Sequence, residues 1–239
     1  MKEDYGYKKS WQENYRKHPW AEKGQGSETK IGEFASSMME AFKRSGILDL
    51  VKKQEVSMLA SSVSTGEKDW EFLKQLDGHL GKLKKFHRPS VVLTDFTLTE
   101  EEKKPIIKKP EKEYENLDAR IVACDSYHLP FKENEFQVLY ERLGALWHAA
   151  EEDDKRHGEG ALIQNILKEY KRIVEPGGKI IFDCASHVVS PLPTAVMIRQ
   201  AVKRNVKGFL KELGFETKVM GKDEMFLVLT NPDSKSKKK

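Results

Sequence analysis

Short apolar runs alternate with stretches of helical period along most of the chain. The runs at Glu55–Ala60, Ser90–Asp95, Ala119–Asp125, Phe136–Glu141, Lys179–Cys184, Phe215–Met220 and Met225–Thr230 are rich in β-branched and aromatic residues and read as strands. Between them, Lys68–Leu76 and Ala161–Val174 repeat apolar residues at helical spacing. Upstream, Phe34, Met38, Met39, Phe42, Leu48 and Val51 give helical cover between Ile31 and Lys53, with Gly46 as a break between two helices. Apolar runs separated by helices predict an α/β fold, a seven-stranded and mainly parallel sheet with helices on both faces. The last two runs are joined only by Gly221, Lys222, Asp223 and Glu224, so they form a hairpin and the sheet ends with an antiparallel strand.

The remaining segments set the organisation. Residues 1–30 mix charge with Tyr5, Tyr7, Trp11, Tyr15 and Trp20, which predicts an arm that docks its aromatics rather than a disordered leader. Residues 31–230 form one domain, and 231–239, with its run of lysines, is a solvated basic tail. The segment from Thr97 to Asp118 is dense in Lys and Glu, and Pro105 and Pro110 limit any helix there, so it reads as a charged surface excursion.

Composition narrows the partners. At 239 residues, 38% hydrophobic and 33% charged, the chain suits a globular domain with charged surface segments. No apolar run approaches the roughly 20 residues that span a bilayer, and the first residues lack a signal-peptide core; the expectation is a cytoplasmic protein, a nuclear one being compatible. Cys124 and Cys184 lie in separate strand-like runs with no metal-ligand spacing, and are expected to be buried thiols. A net charge of +4, spread along the chain, does not call for nucleic acid.

In open parallel sheets ligands sit beyond the carboxyl ends of the strands. Those positions are Ser61 to Gly66 after the first run, Asp95 after the second, Asp125, Ser126 and Tyr127 after the third, Glu141 and Arg142 after the fourth, and Ser186 and His187 after the fifth. A carboxylate at the second strand end suits a ribose diol, and one at the third suits an exocyclic adenine amine. Capping of the following turn is the other use for each of these aspartates.

The segment from Ala119 to Ala149, with Asp125, the Leu129-Pro130-Phe131 turn and Glu135-Phe136, followed by Val174-Glu175-Pro176-Gly177-Gly178 before the fifth run, resembles the second half of the S-adenosylmethionine-dependent methyltransferase family. The closing helix, Gly214-Phe215 turn and final hairpin are similar to the family's end, and Ser10 to Gly24 resembles its aromatic arm. The resemblance covers nearly the whole chain and implies a Rossmann-like methyltransferase fold with a sheet ending in an antiparallel strand. It implies S-adenosylmethionine as cofactor, S-adenosylhomocysteine as product, and a small-molecule or protein methyl acceptor. The family's acidic-x-Gly-x-Gly-x-Gly turn falls on Ala60, Ser62, Ser64 and Gly66, so one glycine remains and the acidic residue is gone.

The cofactor residues so implied are Ser62, Ser64, Gly66, Asp95, Asp125, Ser126 and Glu141, with Glu67 or Glu141 as replacements for the missing acid. No catalytic residue is assigned, because methyl transfer depends mainly on alignment. Tyr127, His128, Arg142, Trp147, His148, His187, Trp11 and Trp20 are candidates to shape an acceptor pocket, each with plain packing as the alternative. The Pro-Gly-Gly turn is expected to end a helix through a left-handed cap. Where amino-methylating enzymes carry an Asn-Pro-Pro-Tyr type of motif, this chain has Tyr140-Glu141-Arg142-Leu143, which disfavours that class of nucleic-acid enzyme. The eroded turn leaves a catalytically inactive binding or scaffold subunit as the alternative function.

Overall fold

The computed structural model describes residues 28–63, 66–95, 113–142, 144–146, 149–150, 153, 160–183, 198–199, 202–203, 205–220 and 226–232. The aromatic arm through residue 27, most of the charged excursion and the end of the basic tail lie outside them, as do Ser64, Trp147, His148, Cys184 and His187.

Two helices, α1 (Glu28–Arg44) and α2 (Ile47–Val51), precede β1 (Ser57–Ser61). Then follow α3 (Glu67–Leu80), β2 (Ser90–Asp95), β3 (Asp118–Ala123), β4 (Phe136–Arg142), α4 (Ala161–Ile173), β5 (Val174–Asp183), α5 (Val206–Glu212), β6 (Glu216–Met220) and β7 (Phe226–Thr230). The seven strands form one sheet in the order β3-β2-β1-β4-β5-β7-β6. β1 to β5 run parallel, and β7 lies antiparallel between β5 and β6. The expected architecture is therefore present, with strand bounds shifted by a few residues.

Strand alternation divides the core between the two faces. Met58, Ala60, Val91, Leu93, Val138, Tyr140 and Ile181 point to the side covered by Phe34, Met38 and Phe42 of α1 and Phe72, Leu73 and Leu76 of α3. Leu59, Val92, Leu139, Ile180 and Phe182 point to the side covered by Ile163, Ile166, Leu167 and Tyr170 of α4 and Phe209 of α5. On the first face Phe42, Phe72 and Tyr140 meet edge to face, with ring centroids 4.9 to 5.9 Å apart.

The start of α4 is capped from a distance. Gly160 offers no side chain, and the buried Asp153 carboxylate instead accepts from the amides of Leu162 at 3.1 Å and Ile163 at 3.0 Å.

The Pro-Gly-Gly turn departs from expectation. The helix ends at Ile173, Val174 is already extended, and Pro176 to Gly178 lie inside β5. Gly177 does take a left-handed backbone (φ 85°), but its amide bonds the Asn231 carbonyl at 2.6 Å, and the β4–β5 register skips there between Phe136 and Val138. The glycine thus serves a strand irregularity and not a helix cap. Asn231, at the head of the segment read as tail, is buried and donates through its amide group to the Val174 carbonyl at 2.7 Å. Cys124 is a partly buried thiol packed against the α4-side core. Among the described residues no helix is long and apolar enough to cross a membrane, and no cluster of three or more His, Cys, Asp or Glu is placed to hold a metal.

Candidate functional site

After β1 the chain turns outward through β2 to β3, and after β4 it turns the other way to β5, so β1 and β4 are neighbours at which strand order reverses. With β7 inserted antiparallel beyond β5, the order and directions are complete. This is a Rossmann-like fold with one strand reversed. In open sheets of this kind the crevice for a ligand lies at the carboxyl ends of the strands where the order reverses, here β1 and β4.

Two described positions of the turn after β1 have positive φ. Ser62 has φ 59° and Gly66 has φ 80°, both left-handed. For serine this conformation costs roughly 1–2 kcal/mol, which the surroundings must hold in place. They do so through bonds on both sides: Val63 donates to the Thr94 carbonyl at 3.0 Å, and Ser62 Oγ accepts from the Ala145 amide at 3.1 Å. Gly66 then leads into α3, whose first turn carries Glu67 and Asp69. Ala60, at the place of the family's acidic residue, is buried in the apolar core on the α1 and α3 side.

The segment after β4 lies directly on this turn. A Cβ on Gly144 would stand 2.5 Å from Ser62 Cβ and 2.9 Å from Glu141 Cγ, so the backbone approaches as only glycine permits. Glu141, the last residue but one of β4, faces the α4 side and is 2% exposed. One carboxylate oxygen accepts from the Leu146 amide at 2.7 Å, and the other accepts from the Tyr170 hydroxyl in a very short bond. Tyr170 OH lies 2.7 Å from Ser61 Oγ, and Ser126 Oγ stands 3.4 Å from the hydroxyls of both Ser61 and Ser62. β1, the loop after β3, β4 and α4 thus all contribute to one buried polar cluster.

Burial dominates the electrostatics of this cluster. It pushes the Glu141 carboxyl up to about 7, against smaller opposing effects of the Tyr170 hydroxyl and the Leu146 and Gly144 amides. The Tyr170 phenol is pushed well above its ordinary value, first by burial and then by the neighbouring Glu141 charge. No ion pair to Glu141 occurs among the described residues.

The two acidic strand ends come side by side. β2 and β3 pair with Asp95 opposite Ala123, two residues before Asp125. Asp125 lies past the end of β3 and pairs with His128 in an isolated bridge; its Oδ1 accepts from the Tyr127 amide at 3.0 Å. That bond is the turn-capping use of aspartate, and it fixes where the rest of the carboxylate sits. Ser126 is 5% exposed, Tyr127 is half-buried and His128 is exposed.

Sequence reasoning singled out Ser62, Gly66, Ser126 and Glu141, and the structure brings these together around the switch point; Ser64 lies outside the described residues. It missed Tyr170 and Gly144. The signal for Tyr170 was a phenol on the apolar stripe Ile163, Ile166, Leu167, Ile173, since a buried hydroxyl there needs a partner. Nothing local in the sequence distinguishes Gly144.

No protein-family model and no curated protein matches the chain. Among solved structures it is similar to the DszA carbon methyltransferase, at 12% identity and TM-score 0.49, over 86% of this chain and 55% of that one. It is similar to a SAM dependent methyltransferase from Aquifex aeolicus, at 14% identity and TM-score 0.47, over 86% of this chain and 97% of that one. The antibiotic-resistance methyltransferase Kmr compares at 12% identity and TM-score 0.49, over 80% of this chain and 93% of that one. The chain thus spans about half the length of the first of these.

Proposed function

We propose that this protein is an S-adenosylmethionine-dependent methyltransferase acting on a small-molecule or protein acceptor. The observation that carries this reading is the left-handed backbone of Ser62 at φ 59° together with Gly66 at φ 80°. The turn holds a non-glycine residue, Ser62, at positive φ at the switch point, and strain of that kind is found at functional sites.

In this reading Ser62, Ser64 and Gly66 bring backbone amides and small side chains against the methionine portion, near the amino end of α3. Asp95 accepts the ribose hydroxyls, and Asp125, oriented by the Tyr127 amide, reads the adenine amine. Ser126 and Glu141 support the turn from behind. S-adenosylmethionine, when bound, supplies an electrophilic methyl group on sulfur. The chain's part is to exclude water and hold the acceptor in line, which requires no dedicated base. Tyr127 and His128 stand beside Asp125 as candidates to line the acceptor side, and a cytoplasmic setting fits the composition.

Titration calorimetry with S-adenosylhomocysteine tests the reading. Binding with a Kd near 10 μM, about −7 kcal/mol, weakened at least about tenfold by Asp95→Ala, is the expected result. Absence of heat and of thermal stabilisation at millimolar ligand overturns it and favours a catalytically inactive binding or scaffold subunit.

A further inference from the structure

Packing on α4 asks only for an apolar ring at Tyr170. Its neighbours Ile163, Ile166, Leu167 and Ile173 form an apolar stripe, and the Tyr170 ring lies in the same core, stacked on Phe182 of β5 at 6.3 Å. The hydroxyl is the exception. It donates to one oxygen of the Glu141 carboxylate and stands 2.7 Å from Ser61 Oγ. With its one proton so used, the phenol oxygen accepts from Ser61. The other Glu141 oxygen accepts from the Leu146 amide at 2.7 Å, and Ser62 Oγ accepts from the Ala145 amide at 3.1 Å. Ser61 and Ser62 are neighbours in the chain, and so are Ala145 and Leu146. The bonds therefore close a ring that runs from Tyr170 through Ser61 and Ser62 to Ala145, Leu146 and Glu141, and back to Tyr170.

We propose that Tyr170 is a positioning residue, whose hydroxyl fixes the turn after β1 against segment 144–146 and so holds both sides of the crevice in one arrangement. Ser62 keeps a left-handed backbone that its surroundings must stabilise, and its bond to the Ala145 amide does this only if segment 144–146 is itself held. Glu141 holds that segment through Leu146, and Tyr170 holds Glu141 and Ser61 at once. A buried hydroxyl is costly unless bonded, and a fully bonded buried network specifies a single arrangement of the groups that it joins. Tyr170 is fully buried in the middle of α4, so the ring is anchored to a packed helix and not to another loop. On the methyltransferase reading, on which this consequence alone rests, the turn is ordered before S-adenosylmethionine arrives, and binding does not have to meet the entropy of ordering it. Tyr170 acts there through Ser61 and Glu141, without touching the cofactor.

Titration with S-adenosylhomocysteine, and amide hydrogen exchange without ligand, test the role together at a temperature well below the Tm of every variant. Asp77→Ala serves as the reference for lost stability, since Asp77 accepts from the Asn116 amide at 2.6 Å toward the end of α3 that lies away from the turn. Tyr170→Phe keeps the ring and raises the Kd about fivefold, the scale of one buried hydrogen bond, whereas Asp77→Ala leaves it unchanged. Ser61→Ala breaks the same ring of bonds, raises the Kd by a similar factor, and adds nothing further when combined with Tyr170→Phe. Without ligand, peptides that cover 61–63 and 144–146 both exchange faster in Tyr170→Phe than in Asp77→Ala, by about fivefold or more. An unchanged Kd in Tyr170→Phe, or an equal rise in Asp77→Ala, overturns the positioning role. Exchange that speeds equally in the two variants overturns the ring itself. A wild type that binds no S-adenosylhomocysteine overturns the methyltransferase reading instead, and faster exchange of both segments in Tyr170→Phe then still upholds the ring.

Discussion

Ser62 and Gly144 are in such close approach that a Cβ on Gly144 would stand 2.5 Å from the Cβ of Ser62. Each residue constrains the other: Ser62 occupies a left-handed position proper to glycine, and Gly144 leaves the space that its side chain needs. Strand order puts the two loops side by side, and among the described residues this pair marks their closest approach at Gly144.

Because the contact is pairwise, the two sites are not additive. Gly144→Ala is expected to cost about 1–3 kcal/mol through overpacking. Ser62→Gly should stay within about 1 kcal/mol of the wild type, as relief of backbone strain offsets the lost Ala145 bond and the entropy of the added glycine. In the double variant the part of the Gly144→Ala penalty that comes from Ser62 should vanish, while the 2.9 Å approach to Glu141 Cγ remains. Urea unfolding of the four proteins measures the coupling, and an additive double variant refutes the contact.

Glu141 makes stability depend on pH in a particular direction. Its carboxyl has an ordinary value of 4.5 and is pushed up to about 7 by burial. Below pH 4.5 the folded and unfolded forms are both protonated, and nothing is lost. Between pH 4.5 and about 7 the unfolded chain ionises while the native one holds its proton, so stability falls as pH rises and levels off above. The full effect is on the order of 3 kcal/mol. Glu141→Gln should match the wild type near pH 4 and exceed it by up to that amount near pH 8. A stability difference that does not change with pH refutes the assignment.

Asp153 caps α4 from seven residues before Gly160, and its loss should be felt along the helix that carries Tyr170. Asp153→Ala leaves the Leu162 and Ile163 amides without their acceptor and is expected to cost about 2 kcal/mol. Asp153→Asn, which keeps one carbonyl oxygen, should recover about half. Thermal unfolding distinguishes the two, and equal Tm values for Ala and wild type rule the cap out.

The sheet was legible because it is made of short-range signals: β-branched runs such as Val91-Val92-Leu93 and Ile180-Ile181-Phe182 alternate between two faces that both bury them. The hairpin after Phe215 was legible from the short connection between its strands. The Pro-Gly-Gly turn was misread because a left-handed glycine looks alike in a helix cap and in a strand irregularity; what decides between them is the Asn231 carbonyl, more than fifty residues away in sequence. The site was legible only where a strand end marks it. Ser62, Ser126 and Glu141 lie at or just past strand ends and so stood among the sequence candidates, whereas Tyr170 reaches the cluster from the middle of a helix. Gly144 matters only because of where Ser62 sits.

Two buried tyrosines on opposite faces of the sheet allow one substitution to be read with opposite signs. Tyr140 is 1% exposed and packs edge to face with Phe42 and Phe72, so its ring belongs to the α1 and α3 core. Among the described residues its hydroxyl has no hydrogen-bond partner, although the Asp69 carboxylate lies near enough to help burial push the phenol well above its ordinary value. Tyr140→Phe keeps the ring and removes an unsatisfied buried oxygen, so it should raise stability by about 1 kcal/mol. Tyr170 is equally buried, but its hydroxyl bonds both Glu141 and Ser61. Tyr170→Phe leaves a buried carboxyl and a buried serine short of a partner and should lower stability by about 2 kcal/mol. That loss should grow above pH 7, where Glu141 is charged and has most need of the donor. Urea unfolding of both variants near pH 6 and pH 8 decides the matter. Equal effects in the two would mean that the hydroxyl of Tyr170 contributes nothing beyond its ring, and that the polar cluster at the switch point is not held together by it.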